Sequence, residues 1–346
     1  FIPNTFVDIS KYIDLKIKIM KVFKSEVSEH PFPRSEKSIR ALNTLRGSTA
    51  GCDYAESFVL LKEIVWVLDK IIYATVVYEC NSFDTFAHDY LESVFKQTDQ
   101  NFELLILSDD VDLANIKGVV DQFNLNKKKI HYEKSTRRLT PIQLRKELVD
   151  ISYKLGADVL IFSDFDESVA NNRVEEILSN IGNYDFVFND FFVVDKQLNK
   201  IEGDSFFETR NIPNHLLDWR EIKLFNYVGL GSMAINLSSY DYKSMVIPDY
   251  IIAVDWFIAT KVLVDGGAGM KLTSTFANYR QHDSSFVGFE FSLNRERLAQ
   301  GLKVKEGHYK YFKKYDREFN LLYSEILELR DYINEVGENY YINEVN

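Results

Sequence analysis

Apolar positions along the chain change period near residue 73. Before it, residues 9–27 repeat at helical spacing, His30-Pro31-Phe32-Pro33-Arg34-Ser35 punctuates a loop, and residues 38–45 resume a helical pattern. A turn follows at Arg46-Gly47-Ser48, then an apolar run over 59–67, with no succession of strands able to build a sheet. From residue 73 onward, β-branched apolar runs alternate with amphipathic stretches. Strands are expected at 73–78, 102–107, 130–132 and 158–162, with helices over 84–96, 116–123 and 141–155 between them. Strand-like pieces at 186–188 and 191–194 come next, then a Gly229-Leu230-Gly231 turn and a helix over 255–264. A strand near 271–276 and a polar loop over 279–288 precede a mainly helical, charged and aromatic end. This alternation predicts an α/β fold with parallel pairing in a doubly wound sheet. In such sheets ligands sit outside the carboxyl ends of the strands.

Composition narrows the class. At 346 residues the chain suggests about two domains. Hydrophobic residues at 46% and only six prolines exclude disordered and collagen-like chains. The balance of 41 Lys+Arg against 52 Asp+Glu, net −11, argues against a nucleic-acid partner. Two cysteines, Cys52 and Cys80, make neither a disulfide framework nor a zinc cluster, so a reducing cytoplasm is the simplest location. The most apolar stretch, 64–77, is broken by Asp69-Lys70 and falls short of the ~20 residues of a spanning helix. No secretory signal is visible, but the chain opens on Phe1 rather than Met, as a fragment would, so that absence carries no weight.

Asp164-Phe165-Asp166 is the sharpest chemical feature. Two carboxylates one residue apart, just after a buried strand, suit one hard cation such as Mg²⁺ or Mn²⁺, held together with substrate phosphates. The same residues would also serve as an acidic cap on a helix starting near Asn171. Arg145 has a planar fork that matches phosphate oxygens, or it pairs on its own helix with Glu147 or Asp150. Asp109 either faces a ligand or forms an Asx turn after its strand. Asp255, at the start of a helix, is a candidate general base or an N-cap. His282 is a candidate metal ligand or hydrogen-bond donor. Gly229 and Gly231 allow a turn or a close sugar approach, and Trp219 and Trp256 line an acceptor pocket or fill the core.

Taken in order, residues 75–81, 84–97 with Asn101-Phe102-Glu103-Leu104-Leu105-Ile106, Leu144-Arg145, 156–166 and Tyr279-Arg280-Gln281-His282 resemble the family-2 glycosyltransferases of GT-A fold. The resemblance covers about residues 73–290 and implies a doubly wound mixed sheet flanked by helices; the pattern outside it gives helical N- and C-terminal segments. It also implies a nucleotide-sugar donor, a carbohydrate or lipid-linked acceptor and Mn²⁺ or Mg²⁺. On this resemblance Tyr78, Glu79, Asn81 and Asp109 lie around the base and ribose, and Arg145 lies near the diphosphate. Asp164 and Asp166 bind the metal, His282 is a third ligand, and Asp255 is the base. Glu79-Cys80 and Glu167 depart from the usual pattern. A sugar-phosphate nucleotidyltransferase is the alternative enzyme. Work in polysaccharide or glycolipid assembly would place the protein in the cytoplasm or at the inner face of a membrane.

Residues 1–66 carry a second resemblance. Pro3-Asn4-Thr5-Phe6-Val7-Asp8-Ile9, His30-Pro31-Phe32-Pro33-Arg34-Ser35, Arg46-Gly47-Ser48 and Tyr54-Ala55-Glu56-Ser57-Phe58 look like the C-terminal end of PIG-L/LmbE-type deacetylases. That family's His-Pro-Asp-Asp-Glu metal segment is missing, so this part alone should hydrolyse nothing. It implies a deacetylase domain or partner, with an inactive scaffold as a further alternative. The expected division is 1–66, 67–290 and a helical 291–346.

Overall fold

Residues 3–59, 68–123, 129–135, 139–201, 205–208, 210, 212–281 and 294–345 are described by the structure, a computed structural model. The chain divides into two units, Phe1–Trp66 and Val67–Asn346.

The first unit contains β1 (Thr5–Asp8), α1 (Ile13–Met20), α2 (Glu36–Ala50) and β2 (Ala55–Phe58), and β1 pairs antiparallel with β2. α1 is shorter than the period over 9–27 suggests. Asp8 accepts a hydrogen bond from the backbone of Ser10 at 2.8 Å and folds the entry into a turn. α2 is longer. Ser35 caps its start, and Gly51, left-handed at φ 78°, ends it. It runs straight through the expected turn at Arg46-Gly47-Ser48. A Cβ at Gly47 would lie 2.5 Å from the carbonyl oxygen of Cys52, so this glycine serves close packing. Most of the apolar run over 59–67 lies outside the described residues.

The second unit opens with β3 (Ile71–Tyr78), α3 (Phe83–Phe95), β4 (Glu103–Asp109), α4 (Leu113–Val120), β5 (Ile130–Lys134), α5 (Pro141–Lys154) and β6 (Val159–Phe162). β7 (Ser168–Val169), α6 (Arg173–Asn180), β8 (Phe186–Val194), β9 (His215–Leu216) and β10 (Met233–Asn236) follow. The rest is α7 (Val254–Val264), β11 (Gly269–Arg280), α8 (Arg295–Phe312), α9 (Arg317–Val336) and α10 (Glu338–Val345). The sheet order is β5-β4-β3-β6-β10-β8-β11-β7, with β9 beside β11. β5, β4, β3 and β6 are parallel, as the βα rhythm predicts. β10 then enters antiparallel between β6 and β8 and makes the sheet mixed.

Both faces of the sheet are covered. Ile72, Ala74 and Val76 of β3 point into one core with α5, α7, α8 and α9. Ile71, Tyr73 and Val77 point into the other with α3, α4 and α6. Such two-sided burial is why β3 reads as a continuous apolar run. α5 starts where the sequence says, because Thr140 and Gln143 form a reciprocal capping box ahead of Pro141. The order reverses at β3: β4 and β5 add on one side and β6 on the other. A ligand crevice is expected at that reversal, outside the carboxyl ends of β3, β4 and β6. No described helix is long and apolar enough to cross a membrane.

Candidate active site

Three strand ends meet at this edge. Tyr78 closes β3 in register with Asp109 at the end of β4. Beyond β6 the chain turns through Ser163 into Asp164, Phe165, Asp166 and Glu167. Phe165 is fully buried and packs against Tyr78, Phe83 and Tyr90, anchoring the loop between the two carboxylates. Asp164 Oδ1 accepts a hydrogen bond from Arg145 Nη2 of α5 at 2.5 Å. The Tyr78 hydroxyl lies in the field of Asp166 and Asp164.

The cluster is crowded with negative charge. Burial raises the pKa of Asp164, Arg145 pulls it back, and Asp166 raises it further. Glu167, 5% exposed, is driven well above the carboxylate range by burial and by Asp164 and Asp166. Burial and the same acids push up the Tyr78 and Tyr279 hydroxyls. Arg173 lies beneath, fully buried. It donates to Asn189 Oδ1 at 2.8 Å, the Tyr73 hydroxyl at 2.8 Å and the carbonyls of Phe162 at 2.9 Å and Gly231 at 2.8 Å. Every charge-bearing nitrogen is thus satisfied, and the residue clamps the end of β6 to the turn before β10.

That turn, Leu230–Ser232, reaches a fourth carboxylate. Asp255 occupies the first turn of α7, but Ala253 is the N-cap, which removes the capping role. Asp255 Oδ1 accepts from Asn226 Nδ2 at 2.9 Å and from the Trp256 amide at 2.7 Å. Its Oδ2 accepts from the Leu230 amide at 3.2 Å. A carboxylate offers about four lone-pair sites, so one remains open. Burial lifts its pKa to about 6, against those three hydrogen bonds and with a further push from Asp164. The next residue, Gly231, abuts the other carboxylates: a Cβ there would stand 2.6 Å from Asp164 Oδ2 and 2.8 Å from Glu167 Oε2. Two consecutive backbone positions therefore touch the acidic pair's loop and the isolated acid.

Residues 76–243 match the family model described as glycosyl transferase family 2. The match covers just under half of the chain and supports an enzyme of the glycosyltransferase kind. No curated protein matches the sequence. Among solved structures, S. aureus TarS 1-349 in complex with UDP-GlcNAc is 13% identical at a TM-score of 0.49, over 75% of this chain and 71% of that one. A mannosyltransferase from Pyrobaculum calidifontis, PcManGT, in complex with GDP-Man and Mn²⁺, is 11% identical at 0.45, over 87% and 75%. GalNAc-T7 with UDP, GalNAc and Mn²⁺ is 15% identical at 0.46, over 75% of this chain, which spans only 49% of that protein.

Within this glycosyltransferase-like unit the sequence candidates separate into groups. Tyr78, Asp109, Arg145, Asp164 and Asp166 gather at the sheet edge. Asp255 joins them through Leu230 and Gly231. Glu79 and Asn81 are exposed and line an open cleft that continues toward Asn115 and Gln122 beside α4. His282 lies outside the described residues. Trp219 and Trp256 are both core residues, stacked on Phe319 and His308. Arg280 of the Tyr-Arg-Gln-His segment is buried and pairs with Asp89 at 2.6 Å. Sequence reasoning missed Arg173 and Asn226, whose partners are remote in the chain. From sequence alone Glu167 stands out only as a departure from the usual pattern.

Among the described residues no three His, Cys, Asp or Glu side chains converge as a ready metal cage. Asp164 and Asp166 nonetheless fit a hard cation. Mg²⁺ and Mn²⁺ take oxygen donors and commonly rely on one or two carboxylates, substrate phosphates completing the sphere.

Proposed function

We propose that the chain transfers a sugar from a nucleotide-sugar to an acceptor hydroxyl, with Asp164 and Asp166 at the diphosphate and Asp255 as the base. The observation that carries this reading is the Leu230-Gly231 bridge. It holds an isolated carboxylate of raised pKa beside, but apart from, a carboxylate pair at the switch point of a unit that matches glycosyl transferase family 2. Arg145 orients the diphosphate, while Tyr78 and Asp109 lie on the nucleoside side. Asp255 takes the acceptor proton as the hydroxyl oxygen bonds to the anomeric carbon. The anomeric C–O bond breaks and its electron pair leaves on the nucleoside diphosphate. A Mn²⁺ or Mg²⁺ held by Asp164 and Asp166 would neutralise that developing charge. The acceptor in this reading is a carbohydrate or lipid-linked carbohydrate of polysaccharide or glycolipid assembly. In this reading the setting is the cytoplasm, and residues 1–66 are a deacetylase remnant or a docking element.

The test is a thermal-shift panel of nucleotide-sugars with and without Mn²⁺, since a ligand of the folded state raises its stability. Product analysis follows for any donor that binds. Nucleoside diphosphate release supports sugar transfer, and pyrophosphate release in the presence of a sugar phosphate refutes it.

A pH profile offers a second check. Deprotonated Asp255 is the active form, so kcat/KM should be level above its pKa of about 6 and fall roughly tenfold per pH unit below it. Stability moves the other way. The folded pKa lies above the ordinary value of 3.8, so the stabilising effect of the protonated form is complete below that value and lost as pH rises through about 6. A rate unchanged between about pH 7 and about pH 5 would remove Asp255 from proton transfer.

Gly231→Ala should disturb the acidic loop directly, because the new methyl meets the carboxylates of Asp164 and Glu167 rather than a yielding apolar side chain. Overpacking of this kind costs about 1–3 kcal/mol. We expect a lowered melting temperature together with weakened Mn²⁺-dependent nucleotide binding. A variant with wild-type binding would show that the close approach is incidental.

A further inference from the structure

Among the described residues two arginines lie in the field of the acidic cluster, and they are held in opposite ways. Arg173 is fully buried and bonded to four separate acceptors, two of them backbone carbonyls, so it cannot leave without opening the end of β6. Among the described residues Arg145 has one polar partner. Its Nη2 meets Asp164 Oδ1 at 2.5 Å, with 22% of the arginine side chain and 28% of the aspartate side chain open to solvent. Among the described residues Asp164 is the sole carboxylate it pairs with. The neighbouring helix cation, Lys146, turns instead to Asp150 at 3.5 Å.

On the donor-site reading above, we propose that Arg145 couples cation binding to diphosphate binding by exchanging partners. Its guanidinium occupies Asp164 until a diphosphate draws it away, so each ligand clears the place for the other. The chemistry follows from the atoms. An oxygen that accepts a short charge-assisted bond from a guanidinium does not offer the same lone pair to a cation. Two positive groups on one carboxylate also repel each other. A diphosphate supplies what the guanidinium needs, non-bridging oxygens that its planar fork can meet two at a time. The transfer requires only side-chain rotation, since Arg145 projects from the regular helix α5 and, among the described residues, one polar contact fixes its guanidinium. Coupling of this kind is reciprocal: whatever factor the diphosphate adds to cation affinity, the cation adds to diphosphate affinity. The consequence for the enzyme is economy of charge. Asp164 is never left without a cationic partner, and the cation is retained chiefly when a donor is present.

The test is calorimetry on the full chain with two probes used separately. One is Mn²⁺ alone, and the other is UDP or GDP, whichever the wild type binds, in the presence of a chelator. Arg145→Met should tighten Mn²⁺ alone by about tenfold and weaken the metal-free diphosphate by about tenfold, within the usual range of coupling factors. Lys146→Met removes the same charge from the same helix without touching Asp164, and should leave both affinities within about twofold. Mn²⁺ affinity unchanged or lowered in Arg145→Met overturns the exchange. Equal tightening in Lys146→Met also overturns it, since a general field would then explain the effect. If Arg145→Met does not fold, Arg145→Gln gives the same reading. A wild-type protein that binds neither probe overturns the donor-site reading and the exchange with it. One that binds both while the Arg145 variants match it overturns the exchange alone.

Discussion

Asp255→Asn should lower single-turnover sugar transfer by about 10²–10⁴-fold, the usual effect of removing a general base. Donor affinity should change little, because Asp255 stands across the Leu230-Gly231 bridge from the acidic pair. The amide keeps the volume but cannot take a proton, and its NH₂ must face a donor, either the Leu230 amide or the Asn226 and Trp256 pair. A modest loss of stability, about 1 kcal/mol, is therefore expected beside the large kinetic loss. Because Ala253 and not Asp255 caps α7, helix fraying cannot account for that loss. Near-normal transfer by the variant would send the search for the base elsewhere.

Asp164→Asn and Asp166→Asn should each weaken Mn²⁺-dependent binding of the nucleoside diphosphate by roughly 100-fold or more, since the cation loses one of two charged oxygen donors. Stability should move the other way or stay level. Asp164 and Asp166 burden each other and Glu167 with like charge, so neutralising one relieves the other two. Asp164→Asn also loses its ion pair with Arg145, which at this partial exposure contributes only about 0.2–1 kcal/mol. A melting temperature at or above wild type, with binding lost, is the signature of a functional pair. Unchanged Mn²⁺-dependent affinity in both variants, measured by calorimetry, would refute the metal assignment.

Several misreadings in the sequence share one physical origin. β8 reads as two pieces because Asn189-Asp190 interrupts its apolar run. In the structure Asn189 is buried and accepts from Arg173, while Asp190 accepts from the Phe191 and Phe207 amides. Their polarity is satisfied by remote partners, so the strand continues. Arg46-Gly47-Ser48 carries a local turn signal, yet α2 passes through it because the backbone of Cys52 and Asp53 packs against Gly47. β10 is only four residues long, too short to show a period, and its place between β6 and β8 depends wholly on long-range pairing.

By itself the sequence determined the βα rhythm from β3 to β6, the start of α5 at Pro141, and the carboxylates that follow a buried strand. Each of these is a local property, set by side-chain period, capping chemistry or a strand end within a few residues. Only the tertiary structure decided that Arg145 meets Asp164 rather than Glu147 or Asp150, that Arg173 locks the β6 edge to Gly231, and that Leu230 brings Asp255 to the same place. Those contacts join residues separated by 19, 58 and 25 positions. Their distances follow from strand order and from the antiparallel entry of β10, which no local period encodes. The raised pKa of Asp255 belongs to the same group, because burial is a property of the packed chain and not of any short segment of it.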